Sequence, residues 1–222
     1  MLLAFDTSSA AVTVALADPM TGAVIASSST VDALRHGELL APAIADALSA
    51  AGCRPGDLTR IAVGVGPGPF TGLRVGLVTA RTMAEVLGIE VAGVCSLDIL
   101  ARQSSLTLPV AVATDARRKE IYWALYDGPA ADGSRRRLEG PAVDKPADVA
   151  HVLAGLPVIG RGATLYAEAL GLGEVDVPEY PSAEALAFGV ATGTLPVVAP
   201  DPLYLRRPDV TLAGGPKSVL PK

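Results

Sequence analysis

The chain is short of histidine, cysteine and aromatic residues, and each shortage removes a class of function. Of the two histidines, His36 lacks a second histidine four residues on, where Leu40 stands, and His151 has no Glu or His in helical register, so no helical metal pair is offered. Cys53 and Cys95 stand far apart with no CxxC spacing, which removes a disulfide framework and a zinc knuckle. One tryptophan, five tyrosines and three phenylalanines in 222 residues leave little for a single-strand stacking platform. Basic residues are outnumbered 18 to 23, for a formal charge of −5. A protein that covers nucleic acid by itself is therefore not expected, since phosphate neutralisation supplies most of such affinity. The short clusters Arg117-Arg118-Lys119 and Arg135-Arg136-Arg137 are the exceptions. Nothing resembles the GxSxG nucleophile elbow. The uncharged stretch from Ala185 to Pro200 holds Gly and Pro and falls short of a membrane span. With Asp6 interrupting the apolar start, no secretory signal is expected. The expectation is a soluble cytoplasmic protein with no metal and no membrane contact.

What is present is apolar material, half of the residues, arranged in periods. Leu2 to Phe5, Ala11 to Leu16 and Ala23 to Ala26 alternate as an opening meander of strands, with the turn formers Asp6-Thr7-Ser8-Ser9 after the first. A helix is expected over His36 to Ala51, ended by Gly52, with Pro42 marking its start or a kink. Further strands are expected at Ile61 to Val65, Val91 to Val94, Pro109 to Ala113, Ile121 to Tyr126 and Val158-Ile159. Helices are expected at Leu73 to Leu87, after Ser96, and over Pro146 to Leu153, Ala163 to Leu170 and Pro181 to Ala191. Strands alternating with helices after a meander predict an α/β protein with mixed sheets. The pattern restarts near residue 105, which divides the chain into an N-terminal lobe, 1–104, and a smaller C-terminal lobe, 105–195.

The segment Gly66-Pro67-Gly68-Pro69-Phe70-Thr71-Gly72-Leu73-Arg74 is the most distinctive. A glycine-rich turn from strand to helix can cradle an anion on its amides. It matches neither phosphate fingerprint: Gly72 is followed by Leu73 and Arg74 rather than Lys-Ser/Thr, and the dinucleotide glycine spacing fails at Pro69 and Thr71. Two readings stay open, a tight packed turn or an anion contact assisted by Thr71 and Arg74. Asp6 is equally double-sided. Beside Thr7 it could position a hydrated cation near a nucleotide, or it could close an Asx-turn on the following amides. The candidate nucleotide or anion contacts are thus Asp6, Thr7, Gly66, Gly68, Thr71, Gly72 and Arg74. The charged run Asp115 to Glu120 reads as a turn before a strand.

On a helical wheel, Leu73 to Leu87 has one narrow polar stripe of Arg74, Arg81 and Glu85, flanked by Thr82. The rest is apolar or small, with Gly76, Ala80 and Ala84 at four-residue spacing, which lets another helix approach closely. The excess apolar face predicts burial against a neighbouring chain; burial on both sides within one fold is the alternative. The candidate partner interface is His36, Leu39 and Leu40 with Leu73, Gly76, Leu77, Ala80, Met83 and Ala84.

Five blocks carry a family resemblance: Leu3 to Ser8, His36 to Pro42, Gly66 to Arg74, Asp115 to Glu120, and Pro202-Leu203-Tyr204-Leu205-Arg206. In this order they resemble the bacterial TsaB (YeaZ) family, Pro69 standing where Ser is common. The resemblance implies the two-lobed actin/Hsp70/sugar-kinase-like (ASKHA) fold, with about 196–222 returning to the first lobe. It also implies a non-catalytic scaffold of the tRNA threonylcarbamoyladenosine machinery that dimerises through its first two helices with TsaD, alongside the ATPase TsaE. On that reading two copies can pair when the partner is absent, tRNA is met only through the complex, no cofactor is held by the isolated chain, and ATP or ADP would lie at the partner interface. The alternative is a stand-alone nucleotide-dependent ASKHA enzyme, a small kinase or hydrolase using Asp6 and the Gly66 loop. A peptidase lacks any nucleophile–base or zinc constellation.

Overall fold

A computed structural model of the chain describes residues 1–173 and 178–206. Of the stretch expected to return to the first lobe, about 196–222, residues 207–222 lie outside the described residues; in the described part Val198 pairs with Gly93 and the Leu203 amide donates to the Val65 carbonyl at 2.8 Å.

Strict two-residue alternation sorts the first sheet into two faces. Strands β1 (Leu2–Asp6), β2 (Ala11–Ala17) and β3 (Val24–Val31) form the antiparallel meander, and β4 (Arg60–Gly64) and β5 (Glu90–Val94) add in parallel, in the order β3-β2-β1-β4-β5. Leu3, Phe5, Val12, Val14, Leu16, Ile61 and Val63 point to one side. There they meet helix α1 (His36–Ala50) and helix α2 (Phe70–Leu87). The opposite face is built from smaller residues, Ala4, Ala17, Ala62 and Ala92, and it takes helix α6 (Ala183–Ala191) through Leu186, Ala187 and Val190. The low alanine side chains on the sheet let α6 approach closely. This helix follows the second half in sequence yet completes the core of the first sheet.

The second sheet has the order β8-β7-β6-β9, with β6 (Val110–Asp115), β7 (Ile121–Tyr126), β8 (Arg137–Asp144) and β9 (Val158–Ile159). Val110 and Val112 face helix α3 (Ser96–Gln103), while Ala111 and Ala113 face helix α4 (Pro146–Leu153) and helix α5 (Arg161–Leu165). The edge strand β8 was not expected from the sequence, because Gly140 and Pro141 interrupt it. At a sheet edge the missing proline N–H breaks no ladder. The helix expected over Ala163 to Leu170 is shorter and earlier, since α5 ends at Leu165 and turns follow it. Pro42 lies inside α1.

Helix α3 belongs to both cores. Ile99 is packed with the first sheet and α6, whereas Leu97, Leu100 and Ala101 are packed with β6 and β7. A buried polar cluster pins it: Asp98 Oδ1 accepts from Tyr126 Oη at 2.6 Å and Arg137 Nε at 3.0 Å, and its Oδ2 accepts from Arg137 Nη2 at 2.6 Å. Burial, then the Asp98 charge, pushes the Tyr126 hydroxyl well above its ordinary range. Burial also pushes the neighbouring Cys95 thiol up to about 12.

Candidate functional site

The cleft between the two sheets is floored by the turn that ends β1. Asp6 is fully buried, and its carboxylate is used up internally: Oδ1 accepts from the Ser8 amide at 2.8 Å and the Ser8 hydroxyl at 2.7 Å, and Oδ2 accepts from Ser96 Oγ at 2.6 Å. This is the Asx-turn geometry, with a second strand-to-helix junction tied in through Ser96. The same Ser96 hydroxyl accepts from the Gly66 amide at 3.1 Å. Burial raises the carboxyl above its ordinary 3.8, against the lowering effect of the Ser96 and Ser8 bonds. Of the two readings of Asp6, the geometry is that of the turn.

Thr7 secures the first turns of α2. Its Oγ1 donates to the Gly72 carbonyl at 2.8 Å and accepts from the Gly76 amide at 3.1 Å. The loop itself is packed against the turn, for a side chain at position 68 would run into the Ser8 carbonyl. Gly68 therefore serves close backbone approach. Pro67 and Pro69 supply no amide donor. His36 opens α1 and its Nε2 lies 2.7 Å from the Ser9 carbonyl oxygen. Thr71 and Arg74 are exposed. Arg74 stands 3.6 Å over the Phe70 ring and its Nε donates to Tyr204 Oη at 2.9 Å, while Phe70 and Tyr204 stack at 5.2 Å. The seven candidate anion contacts thus split. Asp6, Thr7, Gly66, Gly68 and Gly72 form one interlocked turn, Thr71 is exposed, and Arg74 is engaged by aromatic neighbours.

Packing within the chain divides the candidate interface residues. His36, Leu40, Leu73, Gly76, Leu77, Ala80 and Ala84 are buried within this chain. The stripe of small residues on α2 packs inward, and at Gly76 it makes room for the Thr7 hydroxyl. Leu39 and Met83 remain partly exposed. The outward face of α2 instead carries Val78, 60% exposed, and Val86, 79% exposed. A helical wheel finds both faces but cannot say which one the sheet covers.

Opposite the turn stand Thr114 and Asp115 at the end of β6, Arg117 in the turn that follows and Arg161 at the start of α5, and the two sides line a cavity of about 220 Å³. Arg117 pairs with Asp115 at 3.5 Å and Arg161 with Glu179 at 2.6 Å. The turn after Asp115 holds Arg117, Arg118 and Lys119 at φ of 62°, 55° and 61°. Arg206 pairs with Glu120 and its Nη1 donates to the Ala116 carbonyl at 3.2 Å. In the other basic cluster, Arg135 is buried and donates to the carbonyls of Leu106, Leu108 and Asp127. The Asp98–Tyr126–Arg137 cluster and the orphaned Thr114 hydroxyl had no signature in the sequence, because their members are distant along the chain or isolated in a strand. Among the described residues no group of three or more His, Cys, Asp or Glu side chains is placed to hold a metal ion.

A family model described as "TsaD: tRNA N6-adenosine threonylcarbamoyltransferase" matches residues 25–178. An uncharacterised protein of Mycobacterium tuberculosis is 43% identical over 211 residues, covering 94% of this chain and 92% of that protein. The matching Mycobacterium leprae protein is 42% identical, but this chain spans only 55% of its length. The tRNA threonylcarbamoyladenosine biosynthesis protein TsaB of Bacillus subtilis is 36% identical over 129 residues, 56% of this chain and 54% of that protein. Among solved structures, YeaZ from Pseudomonas aeruginosa aligns with a TM-score of 0.73 and 31% identity over 92% of this chain and 99% of that one. Two helix-flanked mixed sheets on either side of a cleft are the ASKHA-like architecture of these proteins. By sequence and by fold, the chain is a member of the TsaB/YeaZ family.

Proposed function

We propose that this protein is the supporting, non-catalytic subunit of the machinery that makes threonylcarbamoyladenosine in tRNA, pairing with a TsaD-type transferase in the cytoplasm. The named relatives support the pathway. The observation that carries the supporting role is the commitment of Asp6, whose carboxylate oxygens are bonded one to Ser8 in its own turn and the other to Ser96 at the start of α3. A carboxylate so sealed holds the fold rather than a phosphate-bound cation. The joint is formed by the outward face of α1 and α2, where Leu39, Val78, Met83 and Val86 offer apolar surface. Valines exposed on a helix that already has its core face covered fit burial against another chain. The same face pairs two copies when the transferase is absent, and TsaE joins the assembled pair. A nucleotide in this assembly lies at the joint between subunits, and tRNA is held through the complex. The test is to mix the protein with the transferase and follow mass by light scattering. A stable heterodimer is expected; two folded proteins that stay apart would overturn the reading.

A further inference from the structure

The polar stripe of α2 has an occupant within this chain, residues 198–206. The run begins on β5, where the Gly93 amide donates to the Val198 carbonyl at 3.0 Å and the Val198 amide donates back at 2.8 Å. A side chain at position 93 would meet the Val198 and Ala199 carbonyls, so the run lies directly on the strand. Farther on, Arg81 Nη2 donates to the Pro200 carbonyl at 2.6 Å and pairs with Asp201. Arg74, two helical turns earlier, donates to Tyr204 Oη at 2.9 Å, and the Tyr204 ring stacks on Phe70. The two spacings agree: Arg74 to Arg81 rises about 10.5 Å along the helix, and Asp201 to Tyr204 spans about 10 Å when extended. The run therefore follows the stripe backwards from Arg81 to Arg74.

Its far end grips the second lobe. Leu203 packs against the core under α1 and α2 and also against the core between α3 and the second sheet, where Leu205 joins it. Arg206 pairs with Glu120, and its Nη1 donates to the Ala116 carbonyl at 3.2 Å, which fastens the run to the turn between β6 and β7. The other bridge between the lobes is α3. At its C-terminal end Gln103 Nε2 donates to the Tyr180 carbonyl at 3.2 Å, and Gln103 Oε1 accepts from the Ser182 amide at 2.8 Å. Two bodies joined through one helix can swing about it, and an attachment beyond that helix opposes the swing. We propose that residues 198–206 act as a strap that holds the two lobes in one orientation, with α3 as the pivot and Arg206 as the fastening on the second lobe. The device belongs to this chain by itself and does not depend on its pairing with a transferase.

Distances between spin labels on the two lobes of the full chain test this. Ser28→Cys in β3 and Leu138→Cys in β8 place the labels at exposed positions, and Cys53→Ser removes the one other accessible thiol. Excess unlabelled protein keeps each measured pair within a single chain. With the strap intact, one narrow distance distribution is expected. Arg206→Ala and Glu120→Ala each remove the fastening, and each is expected to broaden the distribution about twofold as the lobes swing on α3. Arg136→Ala breaks an ion pair with Asp127 inside the second lobe, and is expected to leave the distribution unchanged. Circular dichroism establishes that all three variants are folded. A broad distribution with the strap intact, narrow distributions in both folded strap variants, or equal broadening in Arg136→Ala overturns the proposal.

Discussion

Gly64 and Asp6 share one small volume: a Cβ at position 64 would fall on the Asp6 carboxylate, with Ser96 Oγ also within 2.9 Å of it. The end of β4 can pass the end of β1 only because one of the two has no side chain. Gly64→Ala is expected to destabilise the protein by about 3 kcal/mol, the upper range for overpacking a dense interior. In the background Asp6→Ala the same change is expected to cost much less, because the clashing atoms are gone. Urea midpoints of the four proteins in this cycle give the coupling.

The Asp6 carboxyl is raised by burial, which fixes the sign of its pH dependence. A group with a raised folded pKa favours the folded state fully below its unfolded value, here near the ordinary 3.8, and that contribution is lost as pH rises through the folded pKa. Asp6→Asn keeps an acceptor for the Ser8 amide and carries no charge to bury. Its stability relative to wild type is expected to improve steadily as pH rises from about 3.8 toward neutrality. Denaturation midpoints of both proteins at several pH values read this out, and an Asp6→Asn stability that falls relative to wild type over that span contradicts it.

Two neighbours on α2 should behave oppositely. Leu77 is 3% exposed in the core, so Leu77→Asp is expected to unfold the chain or cost about 4 kcal/mol. Val78, at 60% exposed, should accept aspartate with stability within about 0.5 kcal/mol. The same Val78→Asp change should weaken assembly with the transferase by about 2 kcal/mol if it lies near the centre of the joint. Circular dichroism and light scattering on both variants separate folding from assembly.

The two cysteines should differ sharply toward a thiol reagent. Cys95 is buried and its thiol is pushed up to about 12, so it holds almost no thiolate at neutral pH. Cys53 is partly exposed at the end of α1. One fast thiol per native chain is expected, with the second appearing only in denaturant.

Three successive side-chain-bearing residues in the left-handed region are an unusual strain, each costing about 1 kcal/mol. Lys119→Gly is expected to raise stability by roughly 0.5–1 kcal/mol, measured by thermal unfolding. A loss of stability would mean that the lysine side chain contributes more than its backbone costs.

These residues also mark how far the sequence could be read. Alternation in Leu3-Ala4-Phe5 and Ile61-Ala62-Val63 announced buried strands, and the turn chemistry of Asp6-Thr7-Ser8 announced the junction that floors the cleft. Periodicity identifies α2 as amphipathic, yet it does not say which of its apolar faces the sheet covers, because covering is a tertiary fact. Strand β8 escaped since Gly140-Pro141 is a breaker everywhere but at an edge. Asp98, Tyr126 and Arg137 meet only after the second sheet has formed, so no local pattern could join them.

The position of α6 orders events during synthesis. Strand β1 leaves the ribosome among the first residues, but the helix that covers its alanine face is Ala183–Ala191. Until that helix emerges, only Ile99 of α3 is at hand to pack beside Ala4, Ala62 and Ala92, and the first lobe cannot reach its final packing. Any sheet that forms before then is unfinished on this face, while the serine-rich outer strand, Ser27-Ser28-Ser29 in β3, keeps its open edge polar.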